Sequence, residues 1–192
     1  MRVLLIGAPG AGKGTQAARI ARHFGLTHIS SGDLLREHVR EETPIGRSVK
    51  EYIDRGDLVP DAIIMDMLYK PVIAASASGG YILDGFPRTV PQAETAYAVA
   101  GELGVQVQLA VHIVVQREEL LRRLTGRGRG ADDDISVAKH RLKVYDEMTL
   151  PLVAYYAERE KLVEVNGGRP VDEVTWSIVV QLQQAKRKHL VE

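Results

Sequence analysis

The sequence predicts an α/β fold: a doubly wound, five-stranded parallel sheet flanked by helices. Three observations carry that reading. Short apolar runs recur along the chain. Most are apolar on consecutive residues, as strands covered on both faces require. Segments with helical spacing separate them, and strand–helix alternation of this kind builds parallel sheets whose functional groups gather at the strands' carboxyl ends.

The strands read as "VLLI" (3–6), "HIS" (28–30), "YIL" (81–83), "LAVHIVV" (109–115) and "LVEV" (162–165). The helices read as 15–24, 90–101, 117–126, 134–148 and 171–186. One stretch interrupts the alternation: from Gly32 to Ala77 there are three helical segments and no strand. Within it, Thr43 and Pro44 read as an N-cap followed by proline at the first helical position. "GDLVPDAI" (56–63) reads as a helix stop, an extended link, and a new start capped by Asp61. A helical insertion between strands suggests a subdomain over the site, a candidate moving part.

At 192 residues a single domain is expected. Its 25 basic residues balance 25 acidic ones, so no global field recruits nucleic acid or an anionic membrane. The absence of cysteine excludes disulfides and thiolate metal sites. Six histidines (His23, His28, His38, His112, His140, His189) show no paired ligand spacing and read as structural or surface groups. No apolar run approaches the ~18 residues that span a bilayer, and the first is too short for a signal-peptide core. A cytoplasmic location is expected. The basic end "KRKH" (186–189) reads as the solvated last turn of a helix, where cations suit the dipole, in preference to a nucleic-acid patch.

The first strand runs directly into "GAPGAGKGTQ" (7–16). Gly7, Gly10, Gly12 and Gly14 let the backbone curl so that successive N–H groups point inward as an anion nest. The helix starting near Lys13 adds its positive end, and Lys13 supplies a point charge for the outer phosphates. Strand, G-x-x-x-x-G-K and helix in that order make a phosphate-binding loop, or P-loop. Gly14, however, stands where the usual motif has a Ser or Thr whose hydroxyl meets magnesium. A serine there is expected to crowd the loop. Metal contacts then fall to carboxylates near the strand ends. Asp33 in "SSGDLLR" and Asp84 in "YILDG" offer themselves, each also readable as a cap or turn residue.

Phosphoryl transfer asks the protein for alignment and for positive charge around the moving group. Arg36 follows Asp33 by one helical turn, and Arg88 ends "DGFPR" beside Pro87. Arg123 and Arg127 are four apart on one helix face, and Arg141 lies a few residues into the next helix. Any one of them reads alone as a surface charge. Five on elements expected to converge above one phosphate loop suit bidentate phosphate pairing. Gln92 in "VPQAE" either meets a base edge with its donor and acceptor or lies on the surface.

Together "GAPGAGKGTQ", "ISSGDLLR", "DRGDLVPD", "YILDGFPRTVPQA", "RLTGR" and "HRLKVYDEMTLPL" resemble the adenylate kinase family in its short-lid form, from the first strand to the C-terminal helix. The resemblance implies reversible, magnesium-dependent, in-line transfer, ATP + AMP ⇌ 2 ADP, serving adenine nucleotide homeostasis. It implies a core of residues 1–29, 60–123 and 136–192, a nucleoside-monophosphate-binding (NMP) subdomain of residues 30–59, and a short lid of residues 124–135. ATP would be held by Gly10, Ala11, Gly12, Lys13, Gly14 and Thr15, with Arg123 packed on the adenine and Arg127 on the phosphates. Arg169 of "NGGRP" belongs to the loop that would meet that adenine. AMP would be held by Ser31, Arg36, the backbone of Leu58 and Val59, Gly85, Arg88, Gln92 and Arg141.

Lys13, Arg88, Arg123, Arg127, Arg129 and Arg141 would stabilise the transferring group. Magnesium would arrive with ATP and be bound through water held by Asp33 and Asp84. Only Gly128 to Ala131 separate Arg127 from Asp132, so the long lid insertion that sometimes carries zinc is missing and no structural zinc is expected. The expected partners are ATP, AMP and ADP alone, with no nucleic acid or membrane, for a monomer. Two departures stand out. Ser31 replaces a frequent Thr, keeping the hydroxyl. The lid pattern R-x-D-D becomes "GRGRGADDD", so either the loop has gained a residue or Asp133 and Asp134 shift register. Two alternatives remain open: a uridylate–cytidylate kinase, against which Gln92 speaks, and a nucleotide-binding regulatory protein without fast catalysis, against which the arginine set speaks.

Overall fold

The computed structural model describes residues 1–126 and 134–188. Five strands, β1 (Arg2–Ile6), β2 (Thr27–Ser30), β3 (Tyr81–Asp84), β4 (Leu109–Val114) and β5 (Leu162–Asn166), form one parallel sheet in the order β2-β3-β1-β4-β5. Because side chains alternate across a strand, β1 splits its apolar run between two cores. Val3 and Leu5 face one layer, with Ile20, Leu124, Leu142 and Ile178. Leu4 and Ile6 face the other, with Leu35, Val49, Leu68 and Leu152. This double burial explains why the strands read as continuous apolar runs.

Among the described residues the helices are α1 (Lys13–Phe24), α2 (Ser31–Arg40), α3 (Pro44–Arg55), α4 (Asp61–Ala77), α5 (Val90–Glu102), α6 (Arg117–Thr125), α7 (Ile135–Val144), α8 (Pro151–Ala157) and α9 (Val171–Lys188). Helices α2, α3 and α4 make up the insertion between β2 and β3. Ser30 caps α2 by accepting the Asp33 N–H at 3.2 Å, and Thr43 caps α3 by accepting the Gly46 N–H at 3.0 Å. The expected cap at Asp61 is not there. Pro60 occupies the capping position, its fixed φ suiting the extended entry, and α4 begins at Asp61. The Asp61 carboxylate instead accepts a hydrogen bond from Gln92 Nε2 at 2.6 Å.

The helix expected over 134–148 also differs. α7 ends at Val144, a π-turn covers Tyr145–Thr149, and α8 follows where the sequence reading placed no element. Pro151 has no N–H to donate back to the preceding turn, so the helix is reset just before it.

Strand β1 lies between β3 and β4, so the chain departs to opposite sides of it, and a crevice opens at the carboxyl ends. The pairing sets Leu5 beside Asp84, Ile6 beside His112 and Ser30 beside Asp84, which brings the heads of β2, β3 and β4 level with the start of the phosphate loop. Among the described residues no helix is long and apolar enough to cross a membrane.

Candidate active site

Gly10 and Gly12 have φ of +86° and +91°, a region that side chains with a Cβ rarely adopt, and this lets the loop turn between β1 and α1. Lys13 Nζ donates to the carbonyls of Gly7 at 2.8 Å and Ala8 at 3.2 Å, which holds the ammonium across the loop.

A cavity of about 1150 Å³ opens over this loop. Gly10, Ala11, Gly12, Lys13, Gly14 and Thr15 line it, as do Asp33, Arg36, Leu58, Asp84, Gly85, Arg88, Arg123, Arg141 and Arg169. A smaller adjoining cavity shares Arg36, Leu58, Gly85, Arg88 and Arg141 and adds Ser31, Val59 and Gln92. The site residues chosen from sequence therefore meet in one region, except Arg127 and Arg129, which lie outside the described residues together with Asp132 and Asp133.

Arg88 is half-buried and held from two sides. Its Nε donates to the Gly85 carbonyl at 2.7 Å, and its backbone N–H donates to Gln92 Oε1 at 2.7 Å. Burial, then the charge of Arg141, push its pKa below the ordinary guanidinium value; Asp84 acts against them and Arg36 with them. Three guanidinium groups thus stand close enough to repel one another beside one buried carboxylate. A polyanion relieves that repulsion.

Gly85, at φ +86°, allows a close approach: a Cβ there would lie 2.6 Å from Ser31 Oγ. That hydroxyl is buried in the wall of the smaller cavity and has no hydrogen-bond partner among the described residues. Gln92 fits neither of its two expected readings simply. It is 4 % exposed and ties the Arg88 backbone to Asp61, using one donor and one acceptor of its amide. One of each remains.

The carboxylates differ. Asp84 is 8 % exposed at the head of β3, whereas Asp33 is largely exposed and paired with Arg36 Nη2 at 2.5 Å. At Gly14 the backbone leaves room for a Cβ. An added Cβ would meet only Asp84 Oδ2, at 3.7 Å, because the curl of the loop falls before this residue and the cavity lies in front of it. Among the described residues no three His, Cys, Asp or Glu side chains gather to enclose a metal. The carboxylate of Asp84 facing the loop instead fits a magnesium that keeps its waters and arrives on a phosphate chain.

The sequence reading missed two groups. Glu119 lines the cavity and receives Arg122 through Nε and Nη2 and Arg123 through Nε, each at 2.7 Å. Those bonds hold its carboxyl at about 2. The spacing of three and four residues on one helix was the available signal. Tyr145 also lines the cavity, one helical turn after Arg141. Burial raises its phenol to about 12, so it stays protonated and donates to His112 Nε2 at 3.1 Å, while His112 Nδ1 donates to Glu164 at 2.8 Å. His112 is therefore a structural histidine, as expected.

A phosphate loop at the crossing point of a doubly wound sheet, facing a cluster of arginines across one cavity, defines a nucleotide phosphotransferase. Comparison with known proteins narrows the class. The model of the adenylate kinase family matches residues 5–161. An adenylate kinase of Carboxydothermus hydrogenoformans is 38 % identical over 214 aligned residues, covering 96 % of this chain and 100 % of the relative. One of Thermobifida fusca is 41 % identical over 186, covering 95 % and 98 %. One of Kocuria rhizophila is 41 % identical over 186, covering 95 % and 99 %. The chain belongs to the adenylate kinase family.

Proposed function

We propose that the protein transfers the terminal phosphoryl group of ATP directly to AMP, giving two ADP, and so balances the adenine nucleotide pool. The observation that carries this is the convergence of Arg36, Arg88 and Arg141 on the side of the cavity away from Lys13 and its loop. One phosphate chain on the loop and a second phosphate among the arginines would face each other across the region that both groups line.

In this reading the loop N–H groups and Lys13 hold the ATP phosphates, with Arg123 and Arg169 toward the base. Ser31, Arg36, Leu58, Val59, Gly85 and Gln92 hold AMP, and Arg88 and Arg141 align its phosphate. The acceptor oxygen is already anionic, so no strong general base is required. Catalysis rests on positioning and on charge neutralisation as the phosphoryl group passes in line. Magnesium, bound through water near Asp84 with Asp33 as a weaker second candidate, would neutralise charge on the ATP phosphates. Residues 30–59 and 124–135 would close over the nucleotides as NMP subdomain and lid, excluding the water that would otherwise hydrolyse ATP. Arg127 and Arg129 would arrive with that lid.

Acceptor competition tests the reading. With ATP as donor, AMP should have the highest kcat/KM, by at least about tenfold over UMP, CMP and GMP, since a pocket built to hydrogen-bond its substrate rejects misfits strongly. Preference for UMP or CMP would establish the uridylate–cytidylate alternative instead.

A further inference from the structure

Arg122 and Arg123 share one carboxylate, and the sharing is unequal in what it leaves each guanidinium able to do. Arg122 gives Glu119 two parallel bonds and is largely exposed. Arg123 is half-buried and held from two sides: its Nε donates to Glu119 Oε1 at 2.7 Å, and its Nη2 donates to the Gly167 carbonyl at 3.2 Å. Gly167 belongs to the turn that follows β5, which with Gly168 and Arg169 lines the same cavity.

Hydrogen bonds from a guanidinium lie near its plane. Two of them, to acceptors on different elements, therefore fix the orientation of that plane and occupy donors a phosphate would need. They leave the flat faces untouched. A planar cation with pinned edges and open faces is suited to stacking on an aromatic ring.

We propose that Glu119 is a positioning residue for the donor nucleotide, clamping Arg123 against Gly167 so that its face forms a platform for the purine base. This deepens the reading of the site as an ATP site and rests on it. Glu119 touches no substrate in this account. Its carboxyl is held at about 2 by its arginines, so the clamp persists at any ordinary pH.

The proposal opposes simple electrostatics, which makes it testable. Removing a carboxylate from the wall of a polyanion site should by charge alone tighten every anion. If Glu119 instead positions Arg123, its loss weakens only ligands that carry a base. Binding of ATP and of inorganic tripolyphosphate to the full chain should be measured by calorimetry for the wild type, Glu119→Ala, Glu119→Gln and Arg123→Ala, with thermal melts to show that each variant folds. For Glu119→Ala we expect ATP affinity to fall about fivefold to tenfold, while tripolyphosphate affinity is unchanged or rises. Glu119→Gln, which keeps one acceptor, should fall between. In an Arg123→Ala background the Glu119→Ala change should no longer alter the ratio of the two affinities. An unchanged ratio in the single variant, whether both ligands bind tighter, weaker or as before, overturns the proposal. A wild type that binds ATP no better than tripolyphosphate would instead overturn the reading of the site itself.

Discussion

Arg88 sits where chain chemistry and charge meet. Gly85 and Gln92 fix its side chain and backbone, and burial among Arg36 and Arg141 makes its charge costly unless an anion is near. Arg88→Ala should lower kcat by about 10³-fold or more, the scale on which transfer arginines act. The melting temperature should stay close to wild type, because removing Arg88 also removes repulsion. Steady-state ADP formation and a thermal scan check both halves. At this scale the sequence was generous with cations and sparing with their partners. Lys13, Arg36, Arg123 and Arg141 were legible because guanidinium and ammonium groups near a phosphate loop have an evident use. Glu119 and Tyr145 matter through what they touch, and touching is a tertiary fact. Gly14 shows the converse: the motif suggests a tight place, yet a Cβ there would make only ordinary contact, with Asp84 Oδ2.

The elements that present these residues are set by short local signals. Thr43, Pro44 and Gly46 start α3, whose far end leads through Leu58 and Val59 to the smaller cavity. Thr43 Oγ1 accepts the Gly46 N–H and also meets His38 Nδ1 at 2.9 Å, tying the start of α3 to α2. Thr43→Ala should cost about 1 kcal/mol, the usual worth of an N-cap. Native-state hydrogen exchange should place the loss in α2 and α3 while the amides of the sheet stay protected. Uniform loss across the chain would show that the insertion does not open separately from the sheet. The strands and the cap at Thr43 were readable because apolar runs and capping residues act locally. The π-turn and α8 were not, since Tyr145–Thr149 keeps helical spacing and only Pro151 hints at the reset. Asp61 looked like a cap by residue type, but Pro60 already supplied the entry and left the carboxylate for Gln92.

Across the whole molecule the two faces of the sheet are closed by separate cores, and phenols are buried within them. Tyr81 donates to the Val105 carbonyl at 2.8 Å and is raised from 10.0 to about 12, chiefly by burial, with Arg2 acting against the rise. Tyr145 is raised to about 12 by burial and the nearby carboxylates of Asp146 and Glu164, and Tyr156 is raised further. In the unfolded chain these phenols ionise near 10, whereas in the folded chain they hold their protons to about 12. Their contribution to stability is complete below pH 10 and is lost as pH rises from there toward 12. Denaturant midpoints should therefore fall steeply over that window, and Tyr81→Phe should flatten the fall while lowering stability at pH 7 by about 1 kcal/mol for the lost hydrogen bond. That the sheet is parallel and doubly wound could be anticipated from alternation, but the strand order and which helices share a core could not.

That architecture exists, in this account, to bring two phosphate chains together without water. The most direct test is ³¹P NMR of ATP, AMP and magnesium mixed with the protein. The ATP and AMP signals should decline together while ADP appears, two for each ATP consumed, with no inorganic phosphate. Inorganic phosphate in place of the second ADP, or no ADP at all, would contradict it.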